Sequence, residues 1–339
     1  PSTPIALGGS YTASNGTKYT FTNSATALQL VVEGQGAQDL AFAYASGLWD
    51  TDPANTAWSK PGGVSAAFKT GDSTAFTNSA TVTVDNGGVS PNVVSFSNPS
   101  STAVNIDGGA ISATTVTANG AGAVNVSSDL TATAGITLNS GNVTLAKTTV
   151  NSGGIIVAGG SLTNSGTTTI TAGGLNVTGG AVTSSGSTTI SAGGLNVSAG
   201  SLAVSGSISA GAVNVTGGTV TGSGSITGSS YSVANATYNV NLNGTNSLTV
   251  SGTSTLNGVN TGFSGPVSVT GGNLSLGSSS ALGSGALNLS GGSVLTLSSG
   301  TLGNSIALGA GGGGVSNSGD VTISGAVTNA TGQINQALS

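Results

Sequence analysis

The sequence predicts an all-β chain: a parallel β-helix, or β-solenoid, preceded by an N-terminal strand and cap region. One observation is an internal repeat. Residues 166–185 read GTTTITAGGLNVTGGAVTSS and residues 186–205 read GSTTISAGGLNVSAGSLAVS. Thr169-Ile170 returns as Thr189-Ile190, Gly173-Gly174 as Gly193-Gly194, and Leu175-Asn176-Val177 as Leu195-Asn196-Val197, each 20 residues on. A fixed period of this size marks a repeat architecture. The second observation is the pattern inside a copy. Short runs alternate aliphatic and polar residues, which puts Leu175 and Val177 on one side and Asn176 on the other. Gly pairs then interrupt, permitting the positive φ of a tight corner. So short a strand buries its apolar side only by stacking on a copy of itself.

Composition agrees. The chain has 339 residues, of which 59 are Gly; 36% are hydrophobic and only 4% are charged, against roughly 25% charged in an ordinary domain. Disordered chains are instead poor in apolar residues and rich in net charge. A solenoid has many thin core layers, so Val, Leu, Ile and Ala suffice to fill them.

The chain contains no Cys, Met, His or Arg, and its cations are Lys18, Lys60, Lys69 and Lys147. There is no disulfide framework. A net charge of −5 without Arg offers no phosphate-binding patch, so nucleic acid is not an expected partner. No apolar run approaches the roughly 18 residues of a membrane span. The start, Pro1-Ser2-Thr3-Pro4, lacks Met and reads as a processed or trimmed one; a removed secretion signal is the expectation for an exported chain.

Residues 1–48 hold Tyr11, Tyr19, Phe21, Phe42 and Tyr44, with strand candidates at 18–22, Ala27–Glu33 and 40–45. They read as an N-terminal strand segment, either an end cap or a subunit-joining region. An uncovered solenoid end would expose unpaired strand edges. Residues 49–100 hold both tryptophans and read as a cap with the first coils. Here Trp49-Asp50 and Trp58 precede Gly71-Asp72-Ser73-Thr74-Ala75-Phe76, then Thr81-Val82-Thr83-Val84-Asp85 and Gly87-Gly88-Val89-Ser90-Pro91.

This order of W-D, W, G-D-x-x-x-F, T-V-T-V-D and G-G-V-x-P resembles the opening of proteins with autotransporter-associated β-strand repeats, large Gly-rich bacterial secreted or surface proteins. A second stretch is similar to their repeat unit. Ser247-Leu248-Thr249-Val250-Ser251-Gly252 is followed by Gly262-Phe263-Ser264-Gly265, then by Gly271-Gly272-Asn273-Leu274-Ser275-Leu276-Gly277 and Ala281-Leu282-Gly283-Ser284-Gly285. The family usually has Thr-Tyr-Ser/Thr-Gly where this chain has Gly262-Phe263-Ser264-Gly265; the aromatic and a flanking Gly are kept. The resemblance, with the handedness preference of parallel crossovers, implies a right-handed coil. It also implies export and an extracellular or cell-surface location. The family's C-terminal outer-membrane barrel has no counterpart in this sequence.

Residues 101–339 read as solenoid repeats of about 20 residues. Val104-Asn105-Ile106 and Val124-Asn125-Val126 lie 20 apart, and Val213-Asn214-Val215 comes 18 after Leu195, so coil length varies. Roughly 12 coils at about 4.8 Å each give a rod of roughly 55–60 Å. The stretch from Tyr231 to Leu242 reads as less regular, a lateral contact or small insertion.

Candidate chemistry is sparse. No charged residue occurs between Lys147 and Asp320. Ser and Thr abound, but no His activates them, and only four Lys exist for a Ser-Lys arrangement. Asp50 and Asp52 form D-x-D, which a metal pair or glycosidase acids would use. The competing reading is a turn before Pro53, with Asp52 in solvent. The repeats lack the Asp of calcium-binding β-rolls. Asn105, Asn125, Asn176, Asn196 and Asn214 read as one outward column able to form an amide ladder. Four of them, with Asn15, Asn142, Asn235, Asn243, Asn273, Asn288 and Asn329, begin N-x-S/T triplets open to glycosylation on an exported chain. Thr-x-Thr at 115–117, 169–171 and 219–221 would suit an ice-binding array, but successive copies do not keep it.

The reading therefore assigns no catalytic, cofactor-binding or metal-binding residue and no enzymatic activity. It expects a structural extracellular protein whose partner is itself. The N-terminal segment of one subunit would pair with the C-terminal coil of the next in a cell-surface filament or matrix. The alternative is an adhesin passenger that displays a surface to cells or glycans. A polysaccharide lyase or hydrolase is disfavoured because no clustered acids and bases share one face.

Overall fold

The computed structural model describes residues 10–12, 18–24, 27–33 and 37–329. Pro1 to Pro4, Asn15 and Ser339 lie outside them. The described residues contain strands and no helix. Thirty strands hydrogen-bond into one continuous sheet that winds on itself in about 13 turns, a β-solenoid. Almost every ladder in it is parallel; the antiparallel pairs of this sheet lie at its N-terminal end.

Each coil has three faces, read from the ladders. The first carries 115–118, 135–138, Ile155–Val157, Leu175–Val177 and Leu195–Val197 in succession. The second carries 103–106, 123–126, 142–145, 161–164 and Ala181–Ser184. The third carries 111–113, 130–132, 147–150, 167–170 and Ser187–Ile190. The repeat places like on like. Leu175 pairs with Leu195, which pairs with Val213, absorbing the predicted change from 20 to 18 residues. Within residues 49–100, Ser73–Phe76 and Val93–Phe96 are rungs of the first face.

Inward positions form aliphatic columns along the rod. On the first face Val94, Val116, Ile136, Ile155, Leu175, Leu195 and Val213 stack in register, all buried. Each such side chain contributes about 1.5–3 kcal/mol on burial, before the entropy of ordering is subtracted.

The core differs from the expected all-aliphatic filling in one region. Thr148, Thr168 and Thr188 pair in register on the third face and point inward, 1%, 4% and 3% exposed. On the second face Asn164 and Ser184 point inward between Leu145 and Val204. Alternation decides this: Thr168 and Thr188 lie two residues before the inward Ile170 and Ile190, so they share their side. Tyr231 and Tyr238 correct a second expectation. They are not a lateral contact or an insertion, since each fills an inward position. Tyr231 lies between Val213 and Leu248, and Tyr238 between Val220 and Leu256.

Gly sets the corners. Gly174 has φ +74°, and a Cβ there would lie 2.4 Å from the carbonyl oxygen of Gly194 in the next coil. Both the conformation and the approach of stacked backbones exclude a side chain. The corner between the second and third faces is tighter, where a Cβ on Gly186 would sit 1.7 Å from the oxygen of Gly166.

The N-terminal end is closed by aromatics. Asp39–Phe42 is the first rung of the first face, parallel to Ser73–Phe76. On its other side it pairs antiparallel with Trp58–Ser59, which pairs with Ser65–Ala66. Phe42, Trp49, Trp58, Phe68 and Phe76 pack beneath, with Phe42 edge-on to Trp58 at 5.1 Å and Trp49 edge-on to Phe68 at 5.5 Å. Asp72 of the G-D motif is 2% exposed. Its Oδ1 accepts from the Gln38 amide and its Oδ2 from the Lys69 amide, both at 2.8 Å, tying the first rung to the turn before the second. Strands Ser10–Thr12, Lys18–Ser24 and Ala27–Glu33 form a separate antiparallel sheet.

Gly174→Ala is expected to cost about 3 kcal/mol or more in urea unfolding, from strained φ plus collision with the neighbouring coil. Gly211 has open space around it and an ordinary φ, so Gly211→Ala should change the midpoint little. Equal midpoints for the two variants would refute the corner argument.

Candidate functional site

The outer surface, not a cleft, carries the ordered polar groups. Asn105 and Asn125 pair in register on the second face, and Asn125 Nδ2 donates to Asn105 Oδ1 at 2.8 Å. Asn176, Asn196 and Asn214 pair in register on the first face. There Asn196 Nδ2 donates to Asn176 Oδ1 and Asn214 Nδ2 to Asn196 Oδ1, each at 2.9 Å. The five Asn thus form amide ladders as expected, but in two columns on different faces. Aliphatic-Asn-aliphatic triplets occur on either face, at 104–106 and 124–126 on the second and at 175–177, 195–197 and 213–215 on the first, so a 20-residue offset identifies the stacking neighbour and not the face. A third ladder, Asn139 Nδ2 to Asn119 Oδ1 at 2.8 Å, lies just past the first face. Asn176 and Asn196 also donate to the carbonyls of Gly173 and Gly193, so the ladder fastens the Gly-Gly corner.

The Thr-x-Thr segments fall on three faces. Thr115-Val116-Thr117 belongs to the first, Thr219-Val220-Thr221 to the second, and Thr169-Ile170 to the third.

The acids take structural roles. Asp50 Oδ1 accepts from the Asp52 amide at 3.1 Å and from Asn55 Nδ2 at 3.0 Å, and Asp52 Oδ1 accepts from the Ala54 amide at 2.9 Å. These are the bonds of a turn before Pro53 and beyond it. Asp52 is exposed. Lys147 forms an ion pair with Asp129, its in-register neighbour. Both ends are more than half exposed, which leaves the pair worth less than about 1 kcal/mol. Among the described residues no three acids gather into a metal-sized group. A shallow groove of about 360 Å³ near the cap is lined by Thr70, Ser90, Asn92, Ser112, Thr114 and Thr133, without charge.

Sequence reasoning missed the buried corner amides. Asn98 Nδ2 donates to the carbonyls of Thr102 and Ala123. Asn260 accepts from the Leu242 amide at 2.7 Å and donates to Ala281 O. Asn304 bonds to the carbonyls of Gly283 and Gly285. Each satisfies backbone groups that a corner takes out of the ladders. Their signal was an Asn two to four residues past a strand's end. In the core, Tyr231 Oη accepts from the Gly228 amide and donates to Asn243 O, both at 2.6 Å. Burial pushes its phenol up, opposed by those two backbone bonds. Tyr238 is pushed well above its ordinary value of 10.0 by burial and by the neighbouring Tyr231.

No family model matches the chain, no curated protein matches it, and no solved structure matches it.

Asn196→Ala removes two donated bonds and one accepted bond and should cost about 1–3 kcal/mol. Asn288, in the same outward column between Ser268 and Ala307, lacks amide neighbours, so Asn288→Ala should cost little. Comparable losses in denaturant titration would refute the ladder's contribution. Buried phenols add stability that is complete below pH 10 and lost as pH rises from 10 through the folded-state pKa. The urea midpoint should fall between pH 9 and 11, and Tyr238→Phe should flatten that decline; an unchanged decline would place its cause elsewhere.

Proposed function

We propose that this chain is a structural subunit that joins head to tail into an extracellular filament or matrix. Support comes first from what the rod presents. Its faces are neutral amide and hydroxyl columns on an apolar core, a surface suited to rigidity and poor in groups that titrate or carry charge.

The observation that carries the reading is the difference between the ends. At the N-terminal end the first face is closed by the antiparallel strands around Trp58. Next to it in sequence lies a separate sheet whose edge strand is Ala27–Glu33, with the sequence ALQLVVE. Among the described residues no strand pairs with its outer edge. At the other end no described strand pairs beyond Gly313–Asn317 or Val321–Ile323. Ile323 and Val327 are 37% and 40% exposed there, where earlier coils bury their inward aliphatics. A long apolar edge strand is an aggregation hazard unless something covers it. A heterologous contact between two unlike ends does not close and generates a filament. In this proposal Ala27–Glu33 of one subunit adds to the last coil of the next by strand addition. Export to the cell surface and kinship with autotransporter-associated repeat proteins belong to the same proposal. They rest on the Trp49-to-Pro91 motif order and on the composition.

Electron microscopy of the purified chain at micromolar concentration tests it. The expected result is filaments with an axial repeat of roughly 60–100 Å, about 13 coils plus the N-terminal region. Deleting residues 1–36 should abolish the filaments while leaving the circular dichroism of the rod intact. Normal assembly of the truncated chain would sink the strand-addition mechanism. Isolated rods of one length from the full chain would favour an anchored adhesin.

A further inference from the structure

We propose that the solenoid core binds one ordered water molecule between Asn164, Thr168 and Ser184. The site lies where the inward polar positions of the second and third faces meet. In the sequence they are separated only by the tight corner through Gly166 and Gly186. Coil stacking brings Asn164 of one coil against Ser184 of the next in register, and Thr168 against Thr188. An internal cavity of about 10 Å³ opens between them, walled by Leu145, Ile155, Leu162, Leu175 and Val182.

The polar groups are only partly satisfied by one another. Asn164 Nδ2 donates to Thr188 Oγ1 at 2.9 Å, and Ser184 Oγ lies 3.2 Å from the same oxygen. Asn164 Oδ1 is buried and meets no protein donor. An amide oxygen withdrawn from water requires a donor. The occupant must be small, neutral and able both to donate and to accept. No charged side chain lines the walls, which excludes an ion that would need compensation. The volume equals the lower bound for a single water, and such a water needs two to four polar partners. Asn164 Oδ1 supplies an acceptor, and the hydroxyls of Thr168, Ser184 and Thr188 line the same space. On the second face the neighbouring levels are aliphatic, Leu145 before Asn164 and Val204 after Ser184; on the third face the polar column runs one coil further back, to Thr148, which does not line this cavity.

Two measurements on the full chain test this. A high-resolution experimental map should show a solvent peak within hydrogen-bonding distance of Asn164 Oδ1 and of a Thr168 or Ser184 hydroxyl. In solution, methyl-labelled protein should give water-to-methyl NOEs at Leu162, Leu175 and Val182 that Asn164→Leu abolishes. Should Asn164→Leu fail to fold, Thr168→Val and Ser184→Ala each remove one partner and should weaken the same NOEs. A map without the peak, with Asn164 Oδ1 taking a hydrogen from the Thr168 hydroxyl, would overturn the proposal. So would NOEs that persist undiminished in these variants.

Discussion

Parallel stacking of one coil on the next, with each residue directly over its counterpart, is the constraint on which the rest of this structure depends. A single coil has three short faces of strand, in places run together as in Ala123–Leu138, and buries nothing alone. Over its neighbour at about 4.8 Å it gains ladder hydrogen bonds and a covered apolar side together. The same spacing dictates the small residues at the corners. Stacked turns bring a carbonyl oxygen to within 1.7–2.4 Å of where a Cβ would stand on Gly186 or Gly174. It also turns outward Asn residues into ladders, because an amide donates upward and accepts from below.

Much of this was legible in the sequence because the repeat writes the stacking neighbour directly. The offset between Leu175 and Leu195 named a contact that the fold contains. What was not legible was the face. Three short strands per coil share one alternation, so Asn125 and Asn176 looked equivalent although they lie on different faces. The polar core residues were written in the alternation, yet a Thr-Thr-Thr-Ile run hides which Thr faces inward unless Ile170 sets the phase. The two tyrosines were misread for another reason. Most inward positions are aliphatic, and no local pattern marks a phenol as inward: Tyr231 finds the Gly228 amide and the Asn243 carbonyl as partners, whereas the Tyr238 hydroxyl is buried with no protein partner among the described residues. Asp72 carried a motif match but no role. Its clamp joins residues 38 and 69, a contact that no local pattern announces.

The ends and the sides of the rod obey different physics. Along the sides, backbone groups are paired in ladders and the outward side chains are mostly neutral, with Lys147 and Asp129 paired in register among the exceptions. At the ends a stacking protein must either stop its ladder or extend it. The N-terminal end of the solenoid stops its first face with antiparallel strands and a cluster of large aromatics, packed like an ordinary globular core.

A repeat this regular raises a problem of its own. Copies at 166–185 and 186–205 are alike enough that a strand displaced by one whole coil would still find Leu over Leu and Gly-Gly over Gly-Gly. Aliphatic columns do not resist such a slip, since Val and Leu substitute for one another at modest cost. Buried polar groups do, because a misplaced one loses its partner inside a medium that offers no other. Asn164, Ser184 and Thr188 bond to one another across adjacent coils, with Leu145 on one side and Val204 on the other. Shifting either strand by a coil sets Asn164 against an aliphatic side chain. The polar level thus costs the core some hydrophobic contact and in return distinguishes one coil from the next, which the repeat alone does not.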